Sequence, residues 1–371
     1  MALTERYVTQ AAAGGGDGSS GNPWTFAEAI THSLSNTGQR YNLLSDGTYS
    51  IGATTFGAGA MGAPNVWRGY EATIGDLDAQ GRNSDGTLNT TNMPAITITG
   101  LWTMANYVVL QNLNISGALS SQLIGDTSID LWRMLSCKVV NTQNNSNASC
   151  IYGDDHHVFI NCDLSCTGAS HNRVVITDVS SRFIDCRFEI VANTRCVESQ
   201  SSAVCVNCVF LATGSQTGIG IMSDTAIGTT SADSPYMVVG CTFYNLSSAI
   251  SSSATHTGNS IVVANCHVTD CGKFIDNTTN ITAFDVKNRT RDNTSSSSTV
   301  ELVTVGRITT DTGGAETDYV NAVSGDLHLL SSAAGYNASF NGSDIGGLQT
   351  APPASGGGLM IPIGMNGGFN G

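Results

Sequence analysis

Phe159-Ile160-Asn161-Cys162-Asp163-Leu164, Phe183-Ile184-Asp185-Cys186-Arg187-Phe188 and Val206-Asn207-Cys208-Val209-Phe210 are three versions of one phrase. Asn or Asp precedes a cysteine, and an apolar residue follows two places later. The cysteine returns at Cys137, Cys162, Cys186, Cys208, Cys241 and Cys266, with gaps of 25, 24, 22, 33 and 25 residues. Leu110-Gln111-Asn112-Leu113-Asn114-Ile115 fits the phrase one period earlier, with leucine in the cysteine slot. A fixed period in the twenties marks a solenoid, in which one repeat cannot bury its own apolar face and stacks on its neighbours. Between the phrases, β-rich runs such as Ala95-Ile96-Thr97-Ile98 and Ile261-Val262-Val263 alternate with Gly, Asn, Ser and Asp turns. The pattern predicts an all-β, single-stranded parallel β-helix over residues 51–347. It should have roughly 10–12 coils, each adding about 4.8 Å to the rod.

Eleven cysteines in a short secreted chain would suggest disulfides, but here six occupy strand centres with apolar neighbours. They read as unpaired core thiols, small hydrophobes that mark register. Cys205 and Cys208 form a lone C-x-x-C whose members, by strict alternation, face opposite sides of a strand. No second pair completes a zinc site, so no metal is expected there.

The flanks read differently. Residues 1–22 form a Gly/Ser/Ala-rich lead, expected to be flexible or irregularly docked. Residues 23–50 form an N-terminal cap, with Pro23-Trp24-Thr25-Phe26-Ala27-Glu28-Ala29-Ile30 as a short helix closing the solenoid's end. Residues 224–234 read as an insertion that accounts for the long gap before Cys241, and 290–299 as a loop. Residues 348–371 are a Pro/Gly linker followed by an apolar segment. Its Leu359, Met360, Ile361, Ile363, Met365 and Phe369 are expected to dock on an assembly partner, since such side chains are costly to leave in water.

Across 371 residues the net charge is −14, and charged residues make up only 12%. No basic cluster offsets this, which argues against nucleic-acid binding. No apolar run approaches the ~18 residues needed to cross a bilayer, and Met1-Ala2-Leu3-Thr4-Glu5-Arg6 does not read as a signal peptide. Synthesis in a cytoplasm without membrane insertion is the expectation.

Gly16-Asp17-Gly18-Ser19-Ser20-Gly21-Asn22-Pro23-Trp24-Thr25-Phe26, followed by Asp46-Gly47-Thr48-Tyr49, resembles the opening of right-handed parallel β-helix proteins of the pectate-lyase-like superfamily. Gly325-Asp326-Leu327-His328-Leu329 resembles their closing coil, although a Ser-Pro pair usual there is Ser332-Ala333 here. The resemblance implies that polysaccharide chemistry, where present, sits on one long parallel sheet. It uses either carboxylates with Ca2+ and a basic residue for elimination, or paired carboxylates for hydrolysis.

Acidic residues seven or eight places before the cysteine, among them Asp130, Asp154, Asp155, Asp178 and Asp233, should stack into a loose column. Such a column of like charges needs Ca2+ or shifted protonation to persist, so Asp154, Asp155 and Asp178 are where Ca2+ would bind. Otherwise no cofactor is expected. Asp154, Asp155 and His157, with Asp178, Arg195 and Glu198, form the candidate catalytic set. Trp67, Tyr70, Trp132 and Tyr152 are candidate sugar platforms, with Arg173 and Arg187 as grips for an acidic sugar. Each has a plainer reading as turn, core or surface ion pair.

Together these features favour a virion surface protein of a bacteriophage, a tailspike, fibre or capsid decoration with glycan contact. By the same resemblance it would be a homotrimer joined to other virion proteins through its tail. A polysaccharide lyase or glycoside hydrolase is the alternative, and a bacterial surface adhesin the third reading. The inference from fold to role is by analogy.

Overall fold

The computed structural model describes residues 2–330 apart from 127–130, 169–172, 180, 192–193, 200–202, 215, 224–235, 253–259, 278–281, 287, 292–294, 299–301, 306–307, 311–318 and 322–325. The expected insertion at 224–234 and the apolar tail at 348–371 therefore lie outside the described residues. The chain winds into a right-handed parallel β-helix with three parallel sheets of twelve, ten and eleven strands. One helix, Phe26–Ser33, accompanies them among the described residues.

Each sheet contributes one inward column. Tyr41, Trp67, Leu110, Met134, Phe159, Phe183, Cys205 and Val238 stack inside the twelve-stranded sheet. Ile115, Val139, Leu164, Phe188, Phe210 and Phe243 do so inside the eleven-stranded one. Ile151, Val175, Val197, Ile221 and Ile250 line the ten-stranded sheet. All are buried in one continuous core. The alternation of the sequence thus becomes a dry interior with residues of the opposite parity facing out.

The recurring Asn or Asp gains a conformational reason. Asn112, Ser136, Asn161, Asp185, Asn207, Gly240 and Asn265 all adopt left-handed backbone, with φ between 49° and 64°. This residue turns the chain from the twelve-stranded into the eleven-stranded sheet, and Asn, Asp and Gly tolerate that region best. The next residue points inward. Cys162 Sγ donates to the carbonyls of Ile160 (3.3 Å) and Met134 (3.5 Å), and Cys186 Sγ to those of Ile184 (3.3 Å) and Phe159 (3.5 Å). Cys208, Cys241 and Cys266 repeat the pattern. The thiol fits because it is apolar enough for the core and still offers the bend a weak donor. All eleven cysteines are free and buried. Because the bend at Asn207 interrupts the pleat, Cys205 and Cys208 both face inward and not to opposite sides.

Several boundaries move. Residues 4–8, expected within a loose lead, form strand Thr4–Val8, which pairs in register with Gln39–Leu44 and begins the twelve-stranded sheet. Strands Gln39–Leu44 and Thr48–Ile51 belong to the solenoid, so the cap is the helix Phe26–Ser33 alone. Thr25 opens that helix through a capping box with Glu28. Ser295–Ser298, expected as a loop, is the last strand of the ten-stranded sheet. The expected closing phrase instead forms strand Asp326–Leu329, antiparallel to Tyr319–Asn321.

Candidate functional site

The outward column of the ten-stranded sheet runs Gly125, Tyr152, Ile176, Glu198, Met222, Ser251 and Asp276. Arg173 and Arg195 are register partners on the strands Arg173–Val179 and Arg195–Ser199. Both reach the same oxygen, Glu198 Oε2: Arg173 Nε donates to it at 2.7 Å, and Arg195 Nη1 also bonds it. Glu198 is 3% exposed, whereas the arginine side chains remain 33% and 29% exposed. A buried carboxylate therefore anchors two guanidiniums whose outer parts meet solvent. Tyr152, half-buried, stands two strands before Glu198 on the same outward column.

Other expected residues are not brought here. His157 is fully buried inside the solenoid, with Nε2 3.0 Å from Asp126 Oδ2 and its ring 4.9 Å from that of Trp132. It points inward because it follows the left-handed His156, whose φ is 42°. Gly153 makes the room, since a Cβ there would lie 2.4 Å from His157 Nε2. A base sealed in the core cannot meet a polymeric substrate, so His157 leaves the candidate catalytic set. Trp132 is likewise fully buried and donates Nε1 to Asp126 Oδ2 at 2.7 Å.

Trp67 is no sugar platform either. It is fully buried under the capping helix, stacked 4.3 Å from Tyr41 and 5.3 Å from the tilted ring of Phe26. Tyr70 is half-buried at the end of its strand, and burial pushes its phenol above its ordinary range. Asp154, Asp155 and Asp178 lie in strands Ser149–Asp155 and Arg173–Val179, and the register sets 154 level with 178. Their side chains lie outside the described residues. Among the described residues, no group of three or more His, Cys, Asp or Glu gathers as a metal site.

Arg187 faces out on the eleven-stranded sheet, as expected, but it is only 5% exposed. Its Nη2 donates to Glu189 Oε2 at 3.2 Å, and its strand partner is Asp163. Residues 71–93 cross this part of the sheet. Arg82 Nη1 donates to Asp163 Oδ1 at 2.6 Å and Nη2 to the Asp185 carbonyl at 2.5 Å. The Leu88 amide donates to Asp163 Oδ2 at 2.6 Å. Burial pushes the Asp163 carboxyl up, against Arg82 and the Leu88 amide, which pull it down. This strap escaped the sequence reading because Arg82 lies in a segment with no repeat and meets its partner 81 residues away.

No protein-family model matches the chain, and no curated protein matches it by sequence. Among solved structures, the crystal structure of pectate lyase Pel9A is similar with a TM-score of 0.51 at 13% identity, covering 95% of this chain and 97% of that one. A rhamnogalacturonan lyase gives 0.49 at 14% identity, covering 87% and 94%. A pectin methylesterase from Aspergillus niger gives 0.42 at 13% identity, covering 88% and 98%. The likeness to Pel9A is one of fold: this chain is a right-handed parallel β-helix, as is the pectate lyase it resembles.

Proposed function

We propose that this chain holds an acidic polysaccharide along the outward face of its ten-stranded sheet, as the glycan-contacting part of a phage virion surface protein. The carrying observation is the pair Arg173 and Arg195, oriented by the buried Glu198 and open on one side to solvent. Guanidiniums are suited to uronate carboxylates, which they bond in a bidentate fork. Glu198, engaged by both through one oxygen, acts as a positioning residue. The half-buried Tyr152 on the same column offers ring surface to a sugar. The name of the similar structure, pectate lyase Pel9A, supports a polysaccharide as the ligand class. The uncharged apolar tail supports attachment to a larger assembly.

Affinity electrophoresis in polygalacturonate against a neutral dextran tests the reading. The wild type should be retarded only by the acidic polymer, and less so as salt rises. Arg173→Ala and Arg195→Ala should each weaken binding about tenfold. Equal retardation by both polymers, or variants that bind like the wild type, would exclude it. Cleavage is the second reading, favoured by the level register of 154 and 178. New reducing ends or unsaturated uronate, lost in Asp154→Ala and Asp178→Ala, would establish it. Presence on intact cells without lysis would replace the virion setting by an adhesin.

A further inference from the structure

Cys150 Sγ and Cys166 Sγ lie 3.6 Å apart, a contact that leaves no room for another atom, and both side chains are buried. They belong to successive coils. Cys150 lies in strand Ser149–Asp155 of the ten-stranded sheet, and Cys166 ends strand Asp163–Cys166 of the eleven-stranded one. The Cys150 thiol reaches across the corner between these sheets and donates to the Ser165 carbonyl at 3.0 Å, while the Cys166 thiol donates to the Arg173 carbonyl at 3.5 Å. The corner itself asks only for apolar bulk. One strand later the register partner of Cys166 is Ile190, and the residue level with Cys150 is Val174, both fully buried. Two strands on, the column returns to sulfur at Cys196, but the position level with Cys166 is then Ala212. The bend cysteines repeat a turn that recurs coil after coil, whereas this meeting of two thiols follows from no repeat.

We infer that Cys150 and Cys166 form a redox modification site, at which a small disulfide oxidant such as glutathione disulfide staples two successive coils together. One cysteine, as its thiolate, attacks a sulfur of the oxidant, forms a mixed disulfide and expels one thiolate, which takes up a proton. The other cysteine thiolate then attacks the protein-bound sulfur, closes the Sγ–Sγ bond and expels the second thiolate, protonated in turn. Both protein sulfurs are oxidised, the oxidant is reduced to two thiols, and the two protons pass from the cysteines to the leaving groups. Closing the 3.6 Å contact to the bonded distance of about 2.05 Å asks each sulfur to move by about 0.8 Å. The contact with Cys150, ahead of burial, holds the Cys166 thiol above its ordinary range, so the pair rests as a dithiol and exchange waits for the corner to open. The turn at 142–147, with Thr142, Asn144, Ser146 and Asn147 exposed, leads directly into the strand of Cys150 and gives that opening a local route.

The inference is independent of the glycan reading, and its test needs no glycan. The full chain, purified reduced, is incubated folded with glutathione disulfide, alkylated after denaturation and digested with trypsin. Residues 139–173, released by cuts after Lys138 and Arg173, hold Cys150, Cys162 and Cys166. This peptide should carry one alkyl group in place of three. A second cut with chymotrypsin at Tyr152, Phe159 and Leu164 puts the three cysteines on separate pieces, so the bond is read in the wild type and needs no variant to fold. Cys162→Ser should still close, whereas Cys150→Ser and Cys166→Ser should not. The bond closes a loop of about 16 residues, so opening of strands Ser149–Asp155 and Asp163–Cys166, followed by amide hydrogen exchange, should become about a hundredfold rarer. Three alkylated cysteines in 139–173 after those amides have exchanged in the same buffer would overturn the inference. So would a bond from Cys166 to Cys162 or Cys196, or a closed pair whose strands exchange as fast as before.

Discussion

Asp163→Ala is expected to cost about 3–5 kcal/mol of stability and to release the part of the 71–93 strap around Arg82 and Leu88 from the solenoid. The carboxyl is 7% exposed and takes two donors from the strap, Arg82 Nη1 and the Leu88 amide, each at 2.6 Å. On the sheet side its strand partner is the buried Arg187. Truncation removes the shared acceptor and leaves a cation and an amide facing apolar surface, which is dearer than losing a hydrogen bond between exposed groups. The strap keeps a second anchor, Asp78, which accepts from Arg68 Nε, Gln111 Nε2 and Asn112 Nδ2, each at 3.0 Å, so the release is of the part around Arg82 and Leu88. Its own apolar cluster is only Leu77, Leu88 and Met93. Urea unfolding should show the loss, and limited proteolysis should cut within residues 71–93 in the variant but not in the wild type. An Asp163→Ala protein within about 1 kcal/mol of wild type and equally resistant would show that the strap is held by other contacts. Arg82→Ala should release the strap as well, but at smaller cost because Arg82 is the more exposed partner.

The fold was legible because its cause is periodic. A bend that recurs in every coil needs left-handed backbone at one position and a small apolar residue at the next, and both requirements appear as Asn or Asp before Cys. Ser136 and Gly240 interrupt the row in residue type only; their φ values of 49° and 64° keep the bend. The site was legible in part. Arg173, Arg195, Glu198 and Tyr152 were found because charged and phenolic side chains at outward strand positions have few structural uses. Trp67, Trp132 and His157 misled because burial of a lone aromatic depends on where the chain turns. The capping helix covers Trp67, and the bend at His156 turns His157 inward beside Asp126, 31 residues earlier in the chain. Neither effect leaves a local pattern. The Arg82 strap is the extreme case, since an insertion of no fixed length carries no register.

Phe210→Ala should cost about 3–5 kcal/mol and should also divide the unfolding transition. Phe210 lies 4.9 Å from Phe188 and 4.8 Å from Phe243, with rings within 3° and 8° of parallel, so one ring packs three successive coils together. In a solenoid each coil touches only its neighbours, so stability is a sum of coil and interface contributions, and one weakened interface can separate two folding blocks. The N-terminal block keeps the helix cap and the aromatic cluster of Phe26, Tyr41, Trp67 and Trp102. The C-terminal block has no capping helix among the described residues, so it should melt first. The protein supplies its own reporters: Trp24, Trp67, Trp102 and Trp132 all precede Phe210. Tryptophan fluorescence therefore follows the N-terminal block alone, while far-ultraviolet circular dichroism follows every coil. In the wild type the two urea curves should coincide. In Phe210→Ala the dichroism should fall at lower urea than the fluorescence, because strands beyond the defect unfold while the tryptophans stay buried. Coincident curves displaced together would instead mean that the backbone ladders alone couple the coils, and that the phenylalanine stack adds stability without setting cooperativity.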